Sequence, residues 1–239
     1  MRTIAFYFYF FGYLLYSIPL LNKIKKRKET TLSVEEQDRL DHVLPKKWAK
    51  TLVKISGSDV TVIGEENIPA GPVLFVANHE GNFDIPILLS GLKKPFGFIS
   101  KIEVTKIPIV YKWMEVMNCV FMDRKDRRQS INAIRQGIAL LKNGHSIVVF
   151  PEGTRSKGGS VQEFKAGSLR LGTDANVPIV PVAIKGTSTI MEKNKGWIKP
   201  GTVTITVLPA LTYEQYKEMD AKMMLANIQD SIIEARANA

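Results

Sequence analysis

The chain has 239 residues, of which 45% are hydrophobic, with one cysteine and a formal net charge of +10. That is enough for one domain with a full core, and it excludes a disulfide scaffold, a cysteine-based zinc site, a wholly disordered chain and a polytopic membrane protein. The charge asks for an anionic partner: nucleic acid, an anionic membrane or a phosphorylated substrate.

More than half of the excess charge lies in residues 1–58, which hold 11 basic and 5 acidic side chains. Residues 3–21 carry no charge, and Lys23, Lys25, Lys26, Arg27 and Lys28 follow. As a helix this apolar run would be about 28 Å long, just short of the ~30 Å hydrocarbon core of a bilayer. A secretory signal fits poorly, because the charge lies on the wrong side and no small-residue cleavage site follows. Tyr7, Tyr9, Tyr13 and Tyr16 suit the headgroup level, so the segment either spans the membrane or lies in its interface. Pro19 is expected to end or bend it near the last turn. Basic residues after the run set the remaining chain on the cytoplasmic face of the membrane.

Ser33 and Glu36 have capping-box spacing and predict a helix that stops before Pro45. A second helix, starting near Pro45, sets Trp48, Leu52 and Ile55 against Lys46, Lys47, Lys50 and Lys54. This basic amphipathic stretch reads as membrane surface. Residues 1–57 are therefore expected to form a membrane-binding helical pair ahead of a domain at 58–239.

Within that domain, short runs rich in Val and Ile predict strands at 59–63, 72–77, 96–100, 119–122, 146–150, 178–184 and 202–208. Helical patterns fall at 83–91, 107–117, 127–143, 165–175 and 213–236. Alternation of this kind implies an α/β fold, a mostly parallel central sheet flanked by helices, with functional groups beyond the carboxyl ends of strands.

Several polar groups stand at those ends. His79 leaves the 72–77 strand, with Asp84 at the start of the next helix. A histidine held by a carboxylate is suited to take a proton near neutral pH. With no Ser or Cys nucleophile beside it, its natural target is a substrate hydroxyl. Taken alone, the spacing reads as a surface histidine with Asp84 as a helix N-cap, because such pairs often arise by chance. Gly153 and Arg155 follow the 146–150 strand, giving a tight turn and a planar fork for phosphate. Lys101 and Arg124 stand at two further strand ends. Nucleotide phosphate loops are missing from the sequence. His42 and His145 read as structural or solvated, and Cys119 as inert core. The aromatics cluster in the N-terminal run, not in a base-stacking platform, which argues against nucleic acid.

Taken in order, Asn78-His79…Asp84, Lys101 through Phe121-Met122-Asp123-Arg124, Phe150-Pro151-Glu152-Gly153-Thr154-Arg155-Ser156 and Val177-Pro178-Ile179-Val180-Pro181-Val182 resemble the four blocks of the 1-acyl-sn-glycerol-3-phosphate acyltransferase family. The resemblance covers roughly residues 60–210. It implies a glycerophosphate acyltransferase-like fold. It also implies acyl transfer from a thioester, acyl-CoA or acyl-acyl carrier protein, to the sn-2 hydroxyl of lysophosphatidic acid. In this reading His79 and Asp84 are the catalytic pair, Lys101, Arg124, Glu152, Gly153, Thr154 and Arg155 bind substrate, and no metal or further cofactor is needed. Gly81 departs from the family, which commonly has Ser there. Another lysolipid or glycerol 3-phosphate as acceptor, a thioesterase and a non-catalytic membrane-binding module are the competing readings.

Overall fold

The computed structural model describes residues 1–26 and 31–239. Arg27 and Lys28 of the expected basic run lie outside the described residues. Seven strands, β1 (Asp59–Ile63), β2 (Leu74–Ala77), β3 (Gly97–Lys101), β4 (Val120–Met122), β5 (Ile147–Val149), β6 (Ile179–Lys185) and β7 (Thr202–Val207), form one sheet in the order β1-β7-β6-β2-β5-β3-β4. All neighbours are parallel except β6 and β7. The exits of β4, β3, β5, β2 and β6 therefore lie side by side on one edge of the sheet.

The central strands are buried on both faces, which is why they read as unbroken apolar runs. Successive residues of β2 serve opposite layers. Phe75 and Ala77 pack toward helices α3 (Val43–Ser56) and α4 (Asp84–Gly91), and Leu74 and Val76 toward the opposite layer. That layer contains α6 (Arg127–Lys142), α7 (Arg170–Thr173) and α9 (Ala221–Asn238). Edge strand β1 alternates between exposed and half-buried positions.

Helix α1 (Arg2–Lys25) runs past Pro19, which does not end it. It is long and apolar enough to cross a membrane. Yet it touches the rest of the protein along its length. The backbone N–H of Ile198 donates to Thr3 Oγ1 (3.0 Å), Phe6 packs on Phe83, and Phe10 packs on Trp48. Further along, Tyr13 Oη donates to the Leu44 carbonyl (3.1 Å), Trp113 Nε1 donates to Ser17 Oγ (2.8 Å), and Lys25 pairs with Glu115 (2.7 Å). The opposite face bears Ile4, Phe8, Phe11, Leu15 and Ile18, all exposed.

The expected capping box of α2 (Val34–Asp41) is formed by Ser33 and Glu36. Helix α3 starts at Val43, two residues before Pro45, which sits in the first turn where no intrahelical N–H is needed. Its apolar face is not free for lipid. Ala49, Leu52 and Val53 are buried in the layer formed with α4 and α1. The amphipathic pattern of this segment thus reports packing on the domain.

Helix α5 (Pro108–Val116) falls within the expected 107–117 segment and starts on its proline. Two expected helices come out shorter. The 165–175 region forms a 3-10 turn at Ala166–Ser168 and the single-turn α7. Gly167 and Gly172 disfavour a longer helix, and Gly172 is packed against Ile179 and Leu74. The 213–236 region splits into α8 (Tyr213–Tyr216) and α9, because Asp220 caps α9 by accepting from the N–H groups of Lys222 and Met223.

Candidate active site

The exits of β2, β3, β4, β5 and β6 each contribute one part of the site. Asn78, just beyond β2, bonds to both backbone groups of Ile184 on β6, donating at 2.9 Å and accepting at 2.7 Å. Its side chain thereby continues the sheet by one more rung and fixes the direction in which His79 leaves. The His79 N–H donates to Glu152 Oε1 (2.6 Å), and its carbonyl accepts from the Ser156 N–H (2.8 Å). Loops from β2 and β5 are thus bonded to each other on either side of the histidine. The imidazole stacks on Phe150 with centroids 4.1 Å apart.

His79 Nδ1 lies 2.5 Å from Asp84 Oδ2. With a carboxylate oxygen accepting at this distance, Nδ1 is the donor and Nε2 faces away from Asp84 as the nitrogen available to accept a proton. Asp84 is fully buried, and Oδ2 also accepts from the N–H groups of Glu80 (2.7 Å) and Gly81 (3.1 Å). Its other oxygen accepts from the Thr187 hydroxyl. Both oxygens of Asp84 are thus held by donors besides the ring, which fixes the orientation of the pair. No protein group among the described residues bonds to His79 Nε2.

A cavity of about 780 Å³ opens beside His79. Its polar end is lined by His79, Lys101, Arg124, Gly153, Thr154 and Arg155. Much of the remaining wall is apolar, with Phe10 and Leu14 from α1, Trp48 and Leu52 from α3, and Trp113 from α5, and Asn82, Ser100 and Lys157 add further polar groups. Six of the eight residues expected at the site thus face one space, and Asp84 stands behind His79.

Glu152 is the exception. Expected to touch substrate, it is buried, and its oxygens accept from the N–H groups of His79 (2.6 Å) and Gln162 (2.8 Å). Burial pushes its carboxyl above the usual range, while those two backbone bonds pull it back. Glu152 braces the histidine from behind, each of its oxygens bonded to a backbone N–H, and it is not among the residues that line the cavity.

Gly153 adopts φ +69°, and its carbonyl accepts from Arg124 Nη1. A side chain here would meet Lys165 Nζ at 2.9 Å and Arg124 Nη1 at 3.4 Å. Two cations therefore converge over a glycine. Arg155 is already engaged, donating to Asn82 Oδ1 (2.5 Å) and pairing with Glu192 Oε1 (3.3 Å). Glu192 Oε1 also accepts from the Asn82 N–H (2.7 Å), while Oε2 is buried with no partner among the described residues. That carboxylate fills the space beside Gly81 that a side chain at residue 81 would need.

Thr187, Glu192, Glu80 and Lys165 were not singled out from sequence. The Gly186-Thr187-Ser188 turn follows β6 at the same sheet edge, so the strand-exit rule that selected His79 and Arg155 would also have selected it. Of the remaining histidines, His145 pairs with Asp38 (2.8 Å) and His42 is buried between α2 and β3, both in structural roles. Cys119 is buried, and burial pushes its thiol up to about 12.

The acyltransferase family model matches residues 59–185. The chain is 35% identical over 193 residues to the probable 1-acyl-sn-glycerol-3-phosphate acyltransferase of Mycoplasma genitalium, covering 76% of this chain and 72% of that protein. It is 35% identical over 215 residues to a 1-acyl-sn-glycerol-3-phosphate acyltransferase of Chlamydomonas reinhardtii, covering 88% of this chain and 63% of that one. The crystal structure of the 1-acyl-sn-glycerophosphate acyltransferase PlsC from Thermotoga maritima superposes with a TM-score of 0.85 at 29% identity, over 99% of this chain and 94% of that one. The matched segment contains the His79 loop, the strand-exit cations and strand β6 to its last residue, Lys185, and on this ground the chain belongs to the acyltransferase family.

Proposed function

We propose that the protein transfers an acyl group from an acyl thioester to the sn-2 hydroxyl of 1-acyl-glycerol-3-phosphate, giving phosphatidic acid. The observation that carries this reading is a histidine whose Nε2 has no protein partner among the described residues, on the wall of one cavity that Lys101, Arg124 and Arg155 share with a large set of apolar side chains. The relatives' names supply the substrate class.

His79 Nε2 takes the hydroxyl proton as the oxygen attacks the thioester carbonyl. The tetrahedral intermediate then collapses, the C–S bond breaks, and the imidazolium returns its proton to the leaving thiolate. Asp84 holds the ring and balances its transient charge. Lys101, Arg124 and Arg155 bind the glycerol phosphate, and Lys165 joins them through its position over Gly153. The apolar cavity takes an acyl chain. The donor is acyl-CoA or acyl-acyl carrier protein, and this chemistry needs no metal or further cofactor.

Helix α1 lies in the membrane interface, on the cytoplasmic face. Support for an in-plane position is that one side of the helix is bonded to the domain from Thr3 to Lys25. The other side offers Ile4, Phe8, Phe11, Leu15 and Ile18 to lipid, with Lys23, Lys25 and Lys26 near anionic headgroups.

The test is product analysis in mixed micelles with lysophosphatidic acid and palmitoyl-CoA or palmitoyl-acyl carrier protein. Phosphatidic acid and free thiol should form in equal amounts. Free fatty acid formed at the same rate without acceptor would mean a thioesterase, and no reaction with either donor would mean a binding module.

A further inference from the structure

We propose that Arg236, on the last helix of the chain, is a positioning residue for the His79–Asp84 pair and acts through Glu80 and Thr187. The inference rests on the reading of His79 as general base. It starts from the second oxygen of Asp84. Thr187 is fully buried, and its hydroxyl has one proton to give. Two carboxylates are within reach, Asp84 Oδ1 closely and Glu80 Oε2 at 3.4 Å, so the proton goes to Asp84.

The turn that presents Thr187 is itself held by Glu80. Glu80 Oε2 accepts from the Gly186 N–H (3.0 Å), the Ser188 N–H (3.3 Å) and the Ser188 hydroxyl (3.3 Å). The Glu80 N–H in turn donates to Asp84 Oδ2 (2.7 Å), so this one residue reaches Asp84 directly through its backbone and indirectly through Thr187. Glu80 is 1% exposed. A carboxylate that deeply buried is costly without a paired cation. Arg236 supplies it, meeting Glu80 Oε1 with Nε at 2.8 Å and Nη2 at 2.7 Å. The end of α9 is held nearby by Lys185 Nζ, which donates to the Ala239 carbonyl (2.5 Å). Arg236 does not line the substrate cavity. Its influence passes from Glu80 to the 186–188 turn, then to Thr187 and Asp84.

The experiment compares Arg236→Met, Arg236→Lys and the double variant Glu80→Gln/Arg236→Met. Steady-state rates are taken with lysophosphatidic acid and palmitoyl-CoA or palmitoyl-acyl carrier protein, at a temperature where circular dichroism shows each variant folded. Arg236→Met should lower kcat about 10²-fold, the cost of a small misplacement at the reacting groups, with KM for lysophosphatidic acid within about twofold. The double variant, which has no buried charge to pair, should recover to within about tenfold of the parent. Wild-type kcat in Arg236→Met, a change confined to KM, or a loss that Glu80→Gln leaves untouched would overturn the proposal. If Arg236→Met does not fold, Arg236→Lys decides. One ammonium cannot reproduce both guanidinium contacts, so kcat should fall about fivefold at unchanged KM, and an unchanged kcat overturns the proposal. His79→Ala is measured alongside. Turnover surviving in that variant sinks the general-base reading, whereas its loss together with a normal Arg236→Met sinks only this inference.

Discussion

Asp84 Oδ2 takes three hydrogen bonds at once, from His79 Nδ1 and from the N–H groups of Glu80 and Gly81. A carboxylate so satisfied cannot rotate away from the ring. Asp84→Asn should therefore lower kcat about 10³-fold, because an amide at this position turns donors toward donors and favours the wrong imidazole tautomer. KM for lysophosphatidic acid should stay near that of the parent. Rates within tenfold of the parent would show that ring orientation does not limit the reaction.

Glu152 offers one oxygen to the His79 N–H and the other to the Gln162 N–H. Glutamine preserves its size but gives a donor where an acceptor is needed. We expect Glu152→Gln to lower stability by about 1–3 kcal/mol, the cost of leaving a buried donor unpaired, and to reduce kcat at least tenfold. Thermal melts read the first effect and initial rates the second. An increase in KM alone would instead assign Glu152 to substrate contact.

Gly81 and Glu192 compete for one volume. Gly81→Ser should force the Glu192 carboxylate off the Asn82 N–H and off Arg155, and destabilise the protein by about 1–3 kcal/mol through overpacking. Gly81→Ser/Glu192→Ala should regain most of that loss. Additive effects in a double-mutant cycle would show that the two positions are independent.

His42 gives a pH dependence whose sign follows from burial. Desolvation holds its ring below the ordinary histidine range, so the folded state favours the neutral form. The unfolded ring takes a proton at about pH 6.5. Stability from this group is present above that pH and is lost as pH falls through it toward the lower folded value. The urea midpoint in micelles of fixed composition should fall between pH 8 and pH 5.5, and His42→Gln should reduce that slope. An identical slope in the variant would assign the effect to other groups.

The strands were legible in the sequence because buried parallel strands leave short unbroken runs of Val and Ile. The exits of those runs pointed to His79, Arg155, Lys101 and Arg124. What sequence could not resolve was where an apolar helix face is used. Residues 3–21 are apolar around the whole helix because one side meets protein and the other is exposed. That pattern fits a spanning helix as well as an in-plane one. Trp48 and Leu52 form an amphipathic face in either setting, and only the packing of α3 on α4 assigns it to the domain. Glu152 was placed among the substrate contacts for a related reason. A carboxylate in a polar motif looks like a ligand group until its two oxygens are found bonded to backbone. Glu192 lies 110 residues from Asn82, and no local pattern announces that pairing.

The ion pair between Glu80 and Arg236 joins residues 156 positions apart. During synthesis the N-terminal part of a chain emerges first and begins to order first. Here the apolar α1 leaves the ribosome while most of the sheet is still untranslated, and it can reach a bilayer at that stage. The countercharge for Glu80 arrives only with the final turns of the last helix. On the proposed roles of α1 and Arg236, the order of translation separates arrival at the membrane from competence, and a nascent product that stops short of Arg236 would reach lipid with its histidine pair still unbraced.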